Sequence, residues 1–322
     1  MKKIKIFCTL GPSSLSKKFL KFAQSQKVDL VRLNMSHLNL RNLEKNIKYI
    51  KRHSNLKICI DTEGAQIRTK INKKISLKKN QKLRLFKSKK FHLYPIDVYD
   101  KIKKNDVLEL GFDGLIIKII SKNKNHLDSI CLNGGKLEAN KGVHLVNRKI
   151  KLNYLTVKDF NAIKLAKKYN INHYALSFTN TLEDVEKFNE LLPKKMKIFK
   201  IETEEALKNF SQIQRKGNYF LLDRGDLSKD ISVERIPFAQ RNIFKKKLKT
   251  NEVFIATNLL ESMIDKPYPT RAEANDIYNS IEMGASGLVL AAETAIGKFP
   301  EECIIFLKRV ANQFKKDNSS LP

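Results

Sequence analysis

The sequence predicts an α/β fold: a closed (β/α)8, or TIM, barrel with a small all-β domain inserted after strand 3. Eight short apolar runs alternate with amphipathic segments along the 322 residues. The runs are continuously apolar, as expected of parallel strands that are buried on both faces. Eight such units favour a closed barrel over an open doubly wound sheet. The Gly-x-Gly-x-x-Gly fingerprint of an open dinucleotide-binding fold is also absent from the sequence.

The individual elements follow from these periodicities. Strands are predicted at Lys5–Thr9, Asp29–Asn34, Lys57–Thr62, His173–Phe178, Lys197–Glu202, Tyr219–Arg224, Glu252–Asn258 and Gly287–Ala292. Apolar residues at i, i+3 and i+4 predict helices at Leu15–Ser25, Leu40–Arg52, Val157–Tyr169, Thr181–Leu192, Glu204–Ile213, Val233–Lys247, Arg271–Met283 and Glu301–Phe314. Pro300 precedes the last of these, as suits a helix start.

The connection after the third strand is exceptionally long. Its helix begins only near Val157, and the intervening residues carry short β-like runs separated by turn signals such as Asn133-Gly134-Gly135. Because a structureless loop of this length is implausible in a compact domain, an inserted β domain is expected. The predicted organisation is residues 1–68 for the first part of the barrel, 69–149 for the insertion and 150–322 for the second part. The insertion would lie at the carboxyl-end face of the barrel, where it could act as a lid.

The composition narrows the class of protein. Lys and Arg number 63 against 33 Asp and Glu, a formal net charge of +30. Such an excess attracts polyanions or small anionic substrates, but the lysines are scattered, so compositional drift is favoured and no specific nucleic-acid partner is expected.

No apolar run approaches the roughly 20 residues of a membrane helix, and the start has no signal-peptide pattern. The four cysteines form no Cys-x-x-Cys pair, which favours a reducing cytoplasm.

Polar and charged residues gather at the carboxyl ends of the predicted strands, which meet at one mouth of a barrel. Glu202 and Asp226 offer the hard oxygen ligands that Mg²⁺ prefers. Lys200 and Glu202 are two residues apart on the same predicted strand, so their side chains point to the same side. A lysine beside a metal and a phosphate would stabilise charge on a transferring phosphoryl group. Arg32 supplies a planar fork for a second phosphate or a carboxylate.

A second oxygen-rich cluster is predicted on strands two and three, at Asn34, Ser36, Asp61 and Thr62. It carries one formal charge, which suits a monovalent cation. Taken singly, these residues have simpler explanations, since a Lys-x-Glu pair is usually a solvated strand end and Asp226 could cap a helix. The coincidence of so many polar strand ends favours a functional site.

The same segments carry motifs that resemble those of pyruvate kinases. Lys5–Ser14 is similar to the opening strand of that family, Arg32–His37 resembles Arg-Leu-Asn-Phe-Ser-His, and Asp61–Thr69 resembles Asp-Thr-Lys-Gly-Pro-Glu-Ile-Arg-Thr. Further similar segments are Asn133–Leu145, Thr257–Glu273 and Glu293–Pro300. The resemblance covers nearly the whole chain in order, and the sequence has no counterpart of the family's carboxy-terminal regulatory domain.

The resemblance implies an enzyme of glycolysis that transfers a phosphoryl group from phosphoenolpyruvate to ADP, giving pyruvate and ATP. Glu202 and Asp226 would hold Mg²⁺ or Mn²⁺, and Lys200 would stabilise the moving phosphoryl group. Thr257 would assist protonation of the methylene carbon. Substrate contacts are implied for Arg32, Lys200, Gly225, Asp226 and Thr257. Potassium ligands are implied at Asn34, Ser36, Asp61 and Thr62, and nucleotide contacts at Thr9, Pro12, His37, Arg68, Asp113 and Lys141.

The sequence also departs from the family's pattern. Gln66 stands where potassium-dependent members have Glu and independent ones Lys, so potassium dependence stays open. Asp223 replaces an Ala and adds a carboxylate near the metal. Other departures are Leu38 for Gly, Glu63 for Lys, Ala65 for Pro, Asn258 for Gln and Ala291 for Ser. Two alternatives therefore remain: a changed enolpyruvate reaction of lyase or aldolase type, or a catalytically inactive binding protein. A homo-oligomer is possible.

Overall fold

The computed structural model describes residues 3–111 and 114–319, which form two compact units. The first unit comprises Met1–Gly64 and Val157–Pro322, and the second comprises Ala65–Thr156. Within the described residues, no helix has the length and apolar character that crossing a membrane requires.

The elements are numbered along the chain. The strands are β1 (Lys5–Thr9), β2 (Leu30–Asn34), β3 (Ile58–Asp61), β4 (Ile67–Lys70), β5 (Ile75–Leu77), β6 (Lys82–Phe86), β7 (His92–Tyr94), β8 (Val107–Leu110), β9 (Leu115–Lys122), β10 (His126–Cys131), β11 (Gly135–Leu137), β12 (Gly142–Leu145), β13 (His173–Leu176), β14 (Met196–Ile201), β15 (Tyr219–Asp223), β16 (Glu252–Ala256) and β17 (Gly287–Leu290). The helices are α1 (Lys17–Ser25), α2 (Leu40–His53), α3 (Val98–Lys101), α4 (Val157–Lys168), α5 (Leu182–Leu191), α6 (Glu204–Ile213), α7 (Arg224–Leu227), α8 (Ile236–Lys246), α9 (Arg271–Glu282), α10 (Ala292–Ala295) and α11 (Pro300–Ser319). Val233–Arg235 and Glu261–Ile264 form short 3₁₀ turns.

The first unit is a closed barrel with the strand order β1-β17-β16-β15-β14-β13-β3-β2. All of its strand pairs are parallel. The predicted (β/α)8 fold class is thus confirmed. The barrel interior contains a cluster of buried residues to which β16 contributes Phe254 and Ala256 and every other strand contributes one: Phe7, Leu30, Cys59, Ala175, Ile198, Leu221 and Val289. This layer is a packed core, as in other barrels of this class.

Helix caps fix where the outer helices begin. Thr270 and Glu273 form a reciprocal capping box at the start of α9, and Thr181 and Asp184 form one at the start of α5. Each box satisfies backbone N–H groups that a helix start leaves unpaired, at about 1 kcal/mol per cap. Glu273 also accepts hydrogen bonds from the backbone N–H and hydroxyl of Ser262, so it ties α9 to the 3₁₀ turn after β16.

The second unit is a smaller closed barrel with the strand order β10-β6-β7-β4-β12-β8-β9, and β11 and β5 form a separate two-stranded sheet. Its pairing is antiparallel except between β6 and β7. Buried and exposed residues alternate at the start of β9, as expected of a sheet with one face on a core. The short helix α3 is the departure from an all-β insertion, and it buries Val98 and Tyr99 in that core.

Several strands end earlier than their apolar runs predict. β16 ends at Ala256 because Thr257 and Asn258 adopt left-handed backbone conformations, with φ of +77° and +59°. β15 ends at Asp223, after which the chain turns directly into α7. In contrast, α11 extends beyond its predicted end to Ser319. The carboxyl ends of the strands are therefore sharp turns, and these turns shape the mouth of the barrel.

Candidate active site

The alternation of side chains along a strand builds a polar layer directly above the apolar one. Two residues beyond each member of the apolar layer, the side chain points inward again. The positions so defined are Thr9, Arg32, Asp61, Ser177, Lys200, Asp223, Ala256 and Ala291. Several of these residues are buried although they are charged, which requires them to be paired with one another. The candidate site is this layer together with Glu202, Asp226 and Thr257.

Lys200 lies at the centre of the charged residues. Its Nζ is 2.6 Å from Oε1 of Glu202, 3.5 Å from Oδ2 of Asp223 and 3.6 Å from Oδ2 of Asp61. Burial by itself would lower the pKa of Lys200, but the attraction of the three carboxylates outweighs it and raises the pKa above the ordinary value. The side chain is therefore a fixed ammonium group at neutral pH.

Arg32 is the second buried cation of the layer. Its Nε donates a hydrogen bond of 3.0 Å to Oγ1 of Thr9, whose hydroxyl in turn donates to the carbonyl of Leu290. Its Nη1 lies 3.4 Å from Oδ2 of Asp61 and makes no hydrogen bond to a described residue. The guanidinium is thus held by one edge, and a buried N–H remains available to an anionic ligand.

Three carboxylates form a cluster that fits a divalent cation. Single oxygen atoms of Glu202, Asp223 and Asp226 all lie within 4.8 Å of one another. Burial raises the pKa of Glu202 to about 8; Lys200 opposes this rise, whereas Asp226 and Asp223 add to it. Oε1 of Glu202 accepts no hydrogen bond from a described residue, although the ammonium of Lys200 pairs with it. Hard oxygen donors under mutual repulsion are what a Mg²⁺ or Mn²⁺ ion would stabilise.

The other ligand oxygens of this cluster are already oriented. Oε2 of Glu202 accepts a 2.6 Å hydrogen bond from the backbone N–H of Phe178, a residue in the left-handed region with φ of +53°. Asp226, on α7, is paired with Lys229 one helical turn later. These contacts fix the carboxylate of Glu202 and leave that of Asp226, which is partly exposed, on the solvent side of the cluster.

Asp223 and Thr257 are joined by a short hydrogen bond. The hydroxyl of Thr257 donates to Oδ1 of Asp223 over 2.5 Å. Burial opposes ionisation of Asp223, but Lys200, Arg32 and this hydrogen bond outweigh it and lower the pKa to about 2. The acceptor is therefore a carboxylate, which is consistent with a charge-assisted bond of this length.

The predicted monovalent-cation residues lie on adjacent strands, with Asn34 paired in register with Asp61. Oδ1 of Asn34 accepts from the backbone N–H of Ser36, and Oδ1 of Asp61 accepts from the hydroxyl of Ser177. Ser177 also donates to the carbonyl of Thr62, and its N–H donates to the Thr62 hydroxyl. Oδ2 of Asp61 accepts no hydrogen bond from a described residue. The donor set is oxygen-rich and fits a monovalent cation.

Sequence reasoning missed Ser177. It lies 3.4 Å from Nζ of Lys200 and links that lysine to Asp61 and Thr62. A serine at a strand end carries no distinctive signal on its own. Its position two residues after the inward-facing Ala175 is the signal that could have identified it.

The predicted nucleotide contacts are distributed over both units. In the first unit, Pro12 and His37 are exposed in the turns after β1 and β2, while Thr9 is buried at the end of β1. In the second unit, Arg68 on β4 donates to the carbonyl of Asn140, and Lys141 pairs with Glu138 over 3.0 Å. The remaining predicted contact, Asp113, lies outside the described residues.

Two of the departures near the site, Glu63 and Gln66, are buried. Glu63 is buried, and its Oε2 lies 3.5 Å from Nζ of Lys158. The backbone N–H groups of Glu63 and Gly64 donate to the buried carboxylate of Asp159 over 2.7 and 3.1 Å. Gln66, in the second unit, is also buried, and its Oε1 accepts no hydrogen bond from a described residue.

A (β/α)8 barrel with buried cations and a carboxylate cluster at its mouth belongs to the class of barrel enzymes. Comparison with known proteins is more specific, because the family description "Pyruvate kinase, barrel domain" matches residues 1–304. Pyruvate kinase from Thermotoga maritima is 33% identical over 98% of this chain and 72% of its own length. The enzyme from Methanocaldococcus jannaschii is 34% identical, covering 97% and 69%. That from Staphylococcus epidermidis is 31% identical, covering 97% and 57%.

This chain therefore belongs to the pyruvate kinase family, as the sequence resemblance indicated. The matched proteins carry the name pyruvate kinase, and a pyruvate kinase-like function follows from the match. The chain spans between 57% and 72% of the length of the three relatives described.

Proposed function

We propose that this chain catalyses phosphoryl transfer from phosphoenolpyruvate to ADP, giving pyruvate and ATP. The observation that carries the proposal is the pair of buried cations, Lys200 and Arg32, beside a cluster of three carboxylates in one inward-facing layer. A loose phosphoryl-transfer transition state spreads charge over three equatorial oxygens, so fixed cations contribute most of its stabilisation.

In this proposal Lys200 and Arg32 bind and orient the transferring group. The bond between phosphorus and the enol oxygen breaks while a bond to a β-phosphate oxygen of ADP forms. Because Lys200 is fixed as an ammonium by the carboxylates around it, it needs no reorganisation as charge develops. Arg32 directs its unused Nη1 toward the anion.

Glu202 and Asp226 would hold the divalent ion, which would supply positive charge to offset that of the phosphate groups. The backbone at Gly225 and Asp226, in the first turn of α7, would contact the substrate carboxylate. The close approach is possible because position 225 has no side chain: a Cβ there would lie 2.5 Å from Cγ2 of Thr257.

The enolate left by phosphoryl transfer takes up one proton at its methylene carbon to become pyruvate. Thr257 is the group proposed to assist this protonation: its only hydroxyl hydrogen is donated to Asp223, so its oxygen would accept a hydrogen bond from the water that brings the proton from solvent. A side chain that transfers a proton must be within hydrogen-bond reach of the reacting atom, directly or through one water.

Further parts of the proposal concern cations, the nucleotide and the cell. Asn34, Ser36, Asp61 and Thr62 would hold potassium. Thr9, Pro12, His37, Arg68, Asp113 and Lys141 would contact the nucleotide. The four cysteines are unpaired in the structure, which supports the reducing, cytoplasmic location expected from the sequence.

The test is a coupled assay in which pyruvate formation is followed by NADH oxidation, with phosphoenolpyruvate, ADP and Mg²⁺, with and without K⁺. Wild-type protein should turn over, and Lys200→Met should lose at least about 100-fold, as expected for loss of an electrostatic stabiliser. Lys208→Met is the matched control, because Lys208 is an exposed lysine paired with Glu204 on α6. Wild-type turnover no greater than that of folded Lys200→Met, as judged by circular dichroism, would refute the proposal.

A further inference from the structure

Thr257 is held in a conformation that a β-branched residue rarely adopts. Its φ of +77° is in the left-handed region, where the Cβ substituents crowd the backbone. Such a conformation persists only where the surrounding structure determines it in several ways, and it is concentrated at functional sites. The contacts that hold Thr257 therefore bear on what its hydroxyl does.

Three contacts fix this residue. The carbonyl of Thr257 accepts from Nε and Nη2 of Arg224, over 3.2 and 2.7 Å, and Arg224 is anchored by Asp276 over 2.8 Å. The methyl group lies over Gly225, where a Cβ would approach to 2.5 Å. The hydroxyl donates to Asp223 over 2.5 Å. The first two hold the backbone and the methyl group, and only the third fixes the direction of the hydroxyl hydrogen.

We propose that Asp223 is the positioning residue for the Thr257 hydroxyl: by accepting its only hydrogen, Asp223 leaves the oxygen lone pairs of Thr257 facing the reaction site, where they hold the water that exchanges a proton with the methyl carbon. This inference rests on the proposed function and deepens it. Nothing in the motif assigns this role, because the matching position of the family's pattern carries Ala, which cannot accept a hydrogen bond. Asp223 is 6% exposed, and its other oxygen lies 3.5 Å from Nζ of Lys200, so the acceptor is itself fixed in place.

The proton-transfer step can be measured apart from phosphoryl transfer. In D₂O, with Mn²⁺ and with inorganic phosphate standing in for the departed phosphoryl group, a methyl C–H bond of pyruvate breaks and its proton passes to solvent through the water held on the Thr257 oxygen. The enolate then regains a deuteron from D₂O by the same path. No P–O bond forms or breaks, and the exchange is followed by loss of the methyl proton signal in NMR. By microscopic reversibility, this exchange consists of the reverse of the protonation step of the forward reaction, followed by that protonation step itself.

The matched variants are Asp223→Ala and Asp223→Asn. Both remove the negative charge, so both should weaken Mn²⁺ binding, measured by calorimetry, to a similar degree. Only Asp223→Ala removes the oxygen that accepts from Thr257. At saturating Mn²⁺ we expect Asp223→Ala to slow exchange about 10- to 100-fold, the scale of a misplaced reacting group. Asp223→Asn should keep exchange within about threefold of wild type, because an amide oxygen still accepts a hydrogen bond.

The slowing of exchange by Asp223→Ala should also depend on the presence of the Thr257 hydroxyl. In a Thr257→Val background, Asp223→Ala should add no further slowing, since the group it positions is already gone. Equal slowing by Asp223→Asn and Asp223→Ala would overturn the inference, because Asp223 would then act through its charge on the cation. Undiminished slowing in the Thr257→Val background would overturn it as well. If wild type turns over phosphoenolpyruvate but Asp223→Ala exchanges normally, this inference fails alone; if wild type does neither, the proposed function fails.

Discussion

Replacing Lys200 with Met removes one of the two cations that balance the buried carboxylates of the barrel mouth. Lys200 and Arg32 face Asp61, Glu202 and Asp223, all of them nearly inaccessible to solvent. The buried set is thus one negative charge in excess with the lysine and two in excess without it. We expect this variant to be less stable and to depend more strongly on divalent cations than wild type.

The magnitude follows from the burial of the ion pairs. Removing one partner of a buried pair costs about 3–5 kcal/mol, because the remaining charge is uncompensated. The lower end applies here, because Arg32 still balances part of the negative charge when Lys200 is removed. For a chain of this size about 3 kcal/mol lowers the melting temperature by roughly 4–5 °C.

The assay is thermal unfolding followed by circular dichroism at pH 7, with and without Mn²⁺. A ligand at 100 times its dissociation constant stabilises by about 2.7 kcal/mol. Because the additional negative charge strengthens cation binding, the Mn²⁺-induced rise should be larger for Lys200→Met than for wild type. Lys208→Met provides the control, because its i,i+4 pair with Glu204 is exposed to solvent and contributes little to stability.

The result that would refute this reasoning is specific. If Lys200→Met unfolds within 2 °C of wild type without metal, Lys200 does not balance the buried carboxylates. If Mn²⁺ stabilises both proteins equally, the carboxylate cluster does not respond to the charge beside it. Either outcome would require a different account of how the barrel mouth tolerates its charged residues.

Two further predictions concern stability alone. The Asp159→Asn variant should have a free energy of unfolding about 1–3 kcal/mol lower, because one of the two oxygens that accept backbone N–H groups is replaced by an NH₂ donor. Urea unfolding measures this difference, and an unchanged midpoint would contradict it. Burial and nearby Lys57 lower the pKa of His173 from 6.5 to about 4. The neutral imidazole therefore contributes stability fully above pH 6.5, and this is lost as the pH falls toward 4, by about 1–2 kcal/mol because the ring is partly exposed. His173→Gln should flatten the loss between pH 7 and 4, and an equally steep loss in that variant would assign it to other groups.

Much of the barrel could be predicted from the sequence because its strands are continuous apolar runs. The common orientation of the Lys200 and Glu202 side chains could be predicted for the same reason, because residues two apart on a strand point to the same side. The family assignment rested on motifs at the strand ends, and it is confirmed. Asp223 was recognised only as an added carboxylate near the metal.

What the sequence did not reveal depends on contacts between strands. The predicted strand through Asn258 ends two residues earlier, because Arg224 and Asp223 hold Thr257 in the left-handed region. Propensity favours extended backbone for a threonine, and only tertiary contacts reverse that preference. Ser177 was overlooked because its importance comes from the neighbours that it joins, Asp61 and Lys200.

The two inward-facing layers of the barrel, one apolar and one largely polar, are separated by a spacing of two residues. The second layer lies within the strands except at Ser177 and Ala291, which directly follow β13 and β17. A single-residue deletion between them on β14, for example between Ile198 and Lys200, would turn Lys200 and Glu202 toward the surrounding helices. This single deletion would abolish both folding and catalysis. Insertions and deletions should therefore be eliminated by selection within the strands and in the turns that directly follow them, which carry Asp226 and Thr257. They should be tolerated in the connections that lead from a helix to the next strand, so that length variation among descendants of this gene records where the active site lies.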